Sequence, residues 1–172
     1  MRKIAILGKW LCKKSALVLA VCAGAIILTV YLMQHLAGIE ACDICIIQRY
    51  PYFAVLGMCL ITIIVNKKFY AYIVFISGIA LLITTGYGFY HLGVEEQWFE
   101  SSCQKDIEIA NSIENLKTQI DSRSLIYCDV VLWSLLGVSL AGWNVIVSTM
   151  LAIYAFVSSI FIFRIRKNRE II

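Results

Sequence analysis

Charge is what this 172-residue chain has least of: 15% of its residues are Asp, Glu, Lys or Arg, where a soluble domain carries about 25%. With 61% hydrophobic residues, the composition argues against a water-soluble fold. Proline is nearly missing as well, Pro51 being the single one, and there are no repeats or low-complexity tracts. Linkers and disorder are therefore not prominent, and residues 1–172 read as one domain. A nucleotide-binding loop is also lacking. Gly86-x-Gly88-x-x-His91 approaches a dinucleotide fingerprint, but it has no third glycine and sits inside an apolar run without a preceding strand.

What the chain has instead is long uncharged runs, at 15–38, 50–65, 69–93 and 130–163. About 20 apolar residues cross a hydrocarbon core about 30 Å thick. The last run, as one straight helix, overshoots that thickness, so a bend is expected at Gly137 and Gly142, with 130–140 lying at the interface. The second run reaches full length if it starts at Ile46 and Arg49 snorkels at its outer end. The expected spans are thus 15–38, 46–65, 69–93 and 143–163. Short connections make antiparallel neighbours of successive spans, giving an all-α, up-down bundle of four transmembrane helices. One long outward loop, 94–142, joins spans three and four.

The formal net charge is +4, and its placement matters more than its size. Eleven of the 15 basic residues flank the spans in three groups: Arg2, Lys3, Lys9, Lys13 and Lys14; Lys67 and Lys68; and Arg164, Arg166, Lys167 and Arg169. The positive-inside rule puts both termini and the central turn in the cytoplasm. The long loop holds Lys105, Lys117 and Arg123 against eight carboxylates, so it is no phosphate-binding surface. A cleavable signal peptide is disfavoured because the first apolar run exceeds the usual length of about 7 to 15 residues. Within the loop, Ile109, Ile113, Leu116 and Ile120 mark a short amphipathic helix whose simplest role is to pack on the loop itself.

Topology sorts the seven cysteines. Cys12 falls among cytoplasmic lysines, while Cys22 and Cys59 lie within spans, where cysteine behaves as a small hydrophobe. Cys42, Cys45, Cys103 and Cys128 all fall outside, where disulfides form and persist. Cys42-Asp43-Ile44-Cys45 is a C-x-x-C at the mouth of a span, where a tight loop and a helix N-terminus favour a thiolate, the species that exchanges disulfides. The same spacing serves as half of a metal site, and the motif alone does not choose between the two. A zinc site more often has a second close pair, and Cys103 and Cys128 are 25 positions apart. A c-type haem is excluded because Ile46, not histidine, follows Cys45.

Arg49 lies four positions after Cys45, on the same helical face. It is either an interfacial anchor or a donor to a thiolate or to the carbonyl of a lipid-soluble oxidant. A dithiol at Cys42 and Cys45 must be reoxidised, and without a soluble-cofactor motif a membrane-dissolved quinone is the economical oxidant. His91, at the outer end of span three, either faces that oxidant or is a hydrogen-bonded interfacial histidine.

These residues resemble the disulfide bond formation protein B family, DsbB. The resemblance is carried by Cys42-Asp-Ile-Cys45 with Arg49 following, by Tyr90-His91-Leu-Gly-Val-Glu95, and by the stretch from Cys128 through Trp133 to Trp143-Asn144; it covers 15–164. It implies an inner-membrane thiol oxidase in which Cys103 and Cys128 form the disulfide that oxidises a periplasmic thioredoxin-fold protein, DsbA-like. Electrons then pass to Cys42 and Cys45 and on to ubiquinone or menaquinone, with Arg49 and His91 bordering the quinone. The chain departs from the family pattern at Gln48, where some relatives are acidic, at Leu140, where many have methionine, and at Ser101-Ser102, where many have Gly-Pro. One alternative is a protein similar to vitamin K epoxide reductase, but there the C-x-x-C follows the loop cysteines, the reverse of the order here. The other is a metal-binding membrane protein using the four cysteines as ligands without catalysis.

Overall fold

The computed structural model describes residues 14–38, 41–64, 69–99, 128, 131 and 133–170. Cys12, Cys103 and the amphipathic stretch 109–120 lie outside the described residues. The described elements are helices α1 (Ser15–Leu36), α2 (Asp43–Ile47), α3 (Tyr50–Ile64) and α4 (Tyr70–Glu95), a hairpin of β1 (Ser134–Leu135) and β2 (Val138–Ser139), and helix α5 (Leu140–Glu170). Four helical stretches are long and apolar enough to cross a membrane: Ser15–Leu36, Asp43–Thr62, Tyr70–Glu95 and Leu140–Lys167. The second is α2 and α3 joined end to end.

That join has a local cause. Pro51 has no N–H and its ring crowds the carbonyl four residues back, so an uninterrupted helix cannot pass through residues 47–51. The chain turns at Gln48 and Arg49, and the Gln48 carbonyl freed by the turn accepts a hydrogen bond from Thr84 Oγ1 of α4 at 3.0 Å. A polar backbone group in the membrane is thereby satisfied by a neighbouring helix. The same turn aims Gln48 and Arg49 in directions a straight helix does not offer.

Helices α4 and α5 form the most extensive contact, and α3 packs against both α1 and α4. Small side chains line the seam. Ser148, Ala152, Ala155 and Ser159 recur at helical spacing on α5 and are all buried, as are Ser77, Leu81 and Thr84 on α4. Leu19 and Ala23 of α1, Tyr52, Val55 and Cys59 of α3, and Val74 and Leu81 of α4 complete the core. At the end where α1 begins, the Tyr70 hydroxyl accepts the Ala16 N–H at 3.0 Å, so the starts of α1 and α4 lie together. Outward-facing positions such as Leu17, Leu28, Ile79, Ile153 and Val157 are exposed and apolar, as a lipid-facing surface requires.

The fourth span differs from expectation in how it starts. Gly137 does take part in a turn, with φ +78, following Leu136 at φ +56. Two successive positive φ values close a two-residue hairpin whose twist matches the strands. Gly142, by contrast, does not break the chain: α5 begins at Leu140 and runs through it. Ser139 explains the earlier start, because its Oγ accepts the Gly142 N–H at 3.1 Å and so caps the first turn. Gly142 is glycine for room, since a Cβ there would sit 2.7 Å from Val138 Cγ1 of the hairpin. Trp143 Nε1 donates to the Leu135 carbonyl at 3.1 Å and pins the hairpin to α5.

Candidate redox site

Cys42 precedes α2 and caps it: the Cys45 N–H donates to the Cys42 sulfur at 3.3 Å. The C-x-x-C spacing thus does two things in one turn, capping the helix and bringing the two sulfurs to a hydrogen bond of 3.0 Å. Both cysteines are free thiols. The Cys45 thiol beside it holds the Cys42 sulfur well below the ordinary thiol range; burial opposes this, and His91 and the Cys45 N–H reinforce it. Of the pair, Cys42 is the sulfur whose thiolate is favoured.

His91, from the last turn of α4, stands over both sulfurs. Its Nε2 is 3.7 Å from Cys42 Sγ and its Nδ1 is 3.8 Å from Cys45 Sγ. Gln48 fixes the ring from the other side, with its amide nitrogen 3.3 Å from His91 Nδ1 and donating to the Tyr87 carbonyl at 3.2 Å. Asn144 of α5 donates to Gln48 Oε1 at 3.1 Å and accepts the Tyr52 hydroxyl at 2.6 Å. A chain of polar side chains therefore runs from α3 through α5 to the sulfurs. One turn beyond His91, Glu95 Oε1 lies 3.8 Å from Nε2.

Cys128 joins this group from the far side of the long loop. It is 2% exposed and packs in one buried cluster with Cys42, Ile44 and Val94, with Cys45 and Tyr90 against it. Its backbone is hydrogen-bonded to His91. Cys128 is disulfide-bonded, whereas Cys22, Cys42, Cys45 and Cys59 are free. A disulfide sulfur is no thiolate ligand, which counts against a metal centre built from all four outer cysteines.

Beside the sulfurs is a mostly apolar cavity of about 310 Å³ lined by α1, α2, α3, α4 and α5. Cys42, Cys45, Gln48, Arg49, His91 and Asn144 supply its polar wall. Arg49 Nη1 donates to Gln34 Oε1 of α1 at 2.9 Å, and the guanidinium lies 5.1 Å from the centre of the Tyr31 ring. Its Nε is buried with no hydrogen-bond partner among the described residues. A buried donor left unpaired at a cavity wall suits a ligand carbonyl, because such a group is costly unless something accepts its proton.

A pair of adjacent sulfurs, one of them favoured as a thiolate, beside an apolar pocket and against a disulfide-bonded cysteine is an arrangement for passing disulfides. Comparison with known proteins agrees: the family model for Disulfide bond formation protein DsbB matches residues 13–158. The chain belongs to the DsbB family. Curated proteins of that name resemble it along most of their length. The Disulfide bond formation protein B of Aromatoleum aromaticum is 29% identical over 147 residues, covering 79% of this chain and 84% of the relative. That of Marinobacter nauticus is 26% identical over 148 residues, covering 80% and 84%. No solved structure matches the chain. Membership of the DsbB family makes this a four-span membrane protein of disulfide bond formation, an oxidoreductase.

Of the residues singled out from the sequence, Cys42, Cys45, Arg49, His91 and Cys128 come together at one end of the bundle. Sequence reasoning did not single out Gln48, Tyr52, Asn144 or Glu95 as site residues. A signal was present: Gln48 and Tyr52 are four apart, as are His91 and Glu95, and polar groups inside spans are functional by default.

Proposed function

We propose that this protein is a quinone-linked thiol oxidase of the bacterial inner membrane that reoxidises a DsbA-like, thioredoxin-fold partner. The observation that carries the reading is the packing of the Cys42/Cys45 dithiol against disulfide-bonded Cys128 at the wall of an apolar cavity. The grouping of basic residues supports cytoplasmic termini and a periplasmic loop.

In this relay the partner's thiolate attacks Cys103 of a Cys103–Cys128 disulfide, forms a mixed disulfide and releases Cys128 as a thiolate. The partner's second thiol closes its own disulfide and frees Cys103, so two electrons now reside on the loop pair. Exchange between that pair and a Cys42–Cys45 disulfide moves the two electrons to the membrane end. Buried contact between Cys128 and Cys42 favours this exchange, since thiol attack needs sulfurs brought close. A ubiquinone or menaquinone bound in the cavity supplies the two-electron, two-proton sink that restores the Cys42–Cys45 disulfide. Arg49 offers its buried Nε–H to a carbonyl there, and His91, in contact with both sulfurs, is placed to hold a proton leaving the dithiol.

Purified protein given a reduced thioredoxin-fold partner should reduce a soluble quinone analogue. Failure with both ubiquinone and menaquinone analogues overturns the proposal. When the partner's resolving cysteine is replaced, a mixed disulfide should accumulate, and peptide mapping should find it at Cys103. Mapping to Cys128 or Cys42 reverses the direction of the relay.

A further inference from the structure

We propose that the reduced Cys42–Cys45–His91 centre is a binding site for Zn²⁺, and that an occupied centre is switched off until the metal is removed. The binding half stands on the geometry of the three residues. The switching half rests on the relay proposed above.

Among the described residues, one group of three side chains brings metal-ligating atoms together. One ligand atom from each of Cys42, Cys45 and His91 lies within 4.8 Å of the others. Two thiolates and an imidazole form a borderline-soft set that suits zinc in tetrahedral coordination. Zinc–sulfur bonds of about 2.3 Å and a zinc–nitrogen bond of about 2.0 Å give tetrahedral edges of roughly 3.8 Å between sulfurs and roughly 3.6 Å from sulfur to nitrogen. The 3.7 Å from Cys42 Sγ to His91 Nε2 already matches, whereas the 3.8 Å contact of Cys45 Sγ is to the other ring nitrogen, so Cys45 Sγ, within 4.8 Å of the ligating nitrogen, has to close on it by up to about 1 Å. The two sulfurs, 3.0 Å apart while they share a proton, have to open by about 0.8 Å. Loss of the shared proton drives that opening, because zinc takes both sulfurs as thiolates and Cys45 gives up its proton to solvent.

Glu95 stands outside that group, with Oε1 3.8 Å from His91 Nε2, and reaches the metal as a fourth donor only by turning toward the sulfurs. Glu95 lines the same cavity, and its Oε2 is buried with no hydrogen-bond partner among the described residues. Zinc needs the dithiol, so the disulfide form of the centre offers it no sulfur ligand. Binding is therefore confined to the electron-loaded state of the protein. In that state both sulfurs are occupied by the metal and unavailable for oxidation.

The test uses the full chain in detergent micelles, reduced, desalted and kept anaerobic, with zinc chloride as the probe. Equilibrium dialysis with elemental analysis should find one zinc per chain in a Cys103→Ser/Cys128→Ser background, where the loop thiols are removed. Reoxidation with diamide should release it. His91→Ala should weaken retention by about tenfold or more, the cost of losing one ligand being at least that of a lost outer partner. Cys42→Ser/Cys45→Ser, nearly isosteric and so little risk to the fold, should abolish it. Cadmium in place of zinc should give a thiolate-to-metal charge-transfer band in the parent and none in that double variant. Absence of zinc from the reduced protein, or its retention by Cys42→Ser/Cys45→Ser, overturns the site. If zinc binds but quinone reduction by the prereduced protein proceeds at an unchanged rate, the switch is overturned. Quinone reduction without zinc is scored separately, so failure of the relay and failure of the site are told apart.

Discussion

Asn144→Ala is the perturbation that best separates a structural from a functional role for the buried polar chain. It removes the donor to Gln48 Oε1 and the acceptor of the Tyr52 hydroxyl. A hydrogen bond between membrane helices averages about 0.6 kcal/mol and reaches about 1.7 kcal/mol, so two of them give a loss of roughly 1 to 3 kcal/mol. The lower part of that range is expected, because Gln48 keeps its bond to the Tyr87 carbonyl at 3.2 Å. Equilibrium unfolding in mixed micelles, followed by tryptophan fluorescence, measures the loss. The functional consequence travels through Gln48, whose amide nitrogen holds His91 at 3.3 Å over the sulfurs. Once Gln48 loses its own anchor, quinone reduction should fall about tenfold, equivalent to about 1.4 kcal/mol in the transition state. Tyr52→Phe is the comparison: it removes the 2.6 Å bond yet leaves Gln48 and Asn144 paired. It should lose about 1 kcal/mol of stability and keep its quinone kinetics. Equal kinetics in the two variants would refute the idea that the Gln48 link positions His91.

Arg49→Ala should leave the fold and both disulfides in place and weaken quinone turnover, whereas Arg49→Lys should recover only part of it, since a point charge replaces a planar fork of donors; unchanged quinone kinetics in Arg49→Ala would reduce the residue to an anchor. The lowered Cys42 pKa keeps its thiolate populated as pH falls below the ordinary thiol value of about 8.5. In reduced, metal-free protein, Cys42 alkylation by iodoacetamide should therefore hold its rate through neutral pH and decline only in acid. A rate that climbs tenfold per unit between about pH 6 and 8 is the behaviour of an unperturbed thiol and contradicts the assignment. In intact cells, membrane-impermeant thiol labelling after reduction should reach Cys103 and spare Cys12, and labelling of Cys12 overturns the proposed orientation.

The spans were legible because lipid imposes one requirement on every residue that faces it, and uncharged runs report that directly. Expected and observed limits differ by at most two residues at α1 and α4: 15–38 against Ser15–Leu36, and 69–93 against Tyr70–Glu95. The start of α5 was misread for a reason of another kind. Glycine in a long apolar run signals either a turn or a close approach, and the sequence does not say which. Gly137 proved to be the first and Gly142 the second. The hairpin at 134–139 carries almost no signal, because its first positive-φ residue is Leu136, where such turns prefer Asn, Asp or Gly.

The same distinction governs the site. Cys42 and Cys45 announce themselves because spacing within one turn fixes their geometry, whatever the rest of the bundle does. Asn144 announces nothing, since it is 96 positions from the Gln48 it bonds. Only the packing of α5 against α4 makes them neighbours. Gln48 is the telling case, a neutral amide at a position where some relatives carry an acid. It donates to Tyr87 and His91 while accepting from Asn144, using its nitrogen and its oxygen at once. A carboxylate in its place has no proton to give His91 or the Tyr87 carbonyl while ionised. With Gln48 neutral, the carboxylate beside His91 is Glu95, on the histidine's own helix. Local chemistry can therefore be read from the chain, but the electrostatics of the pair of sulfurs are set by which helices meet around them.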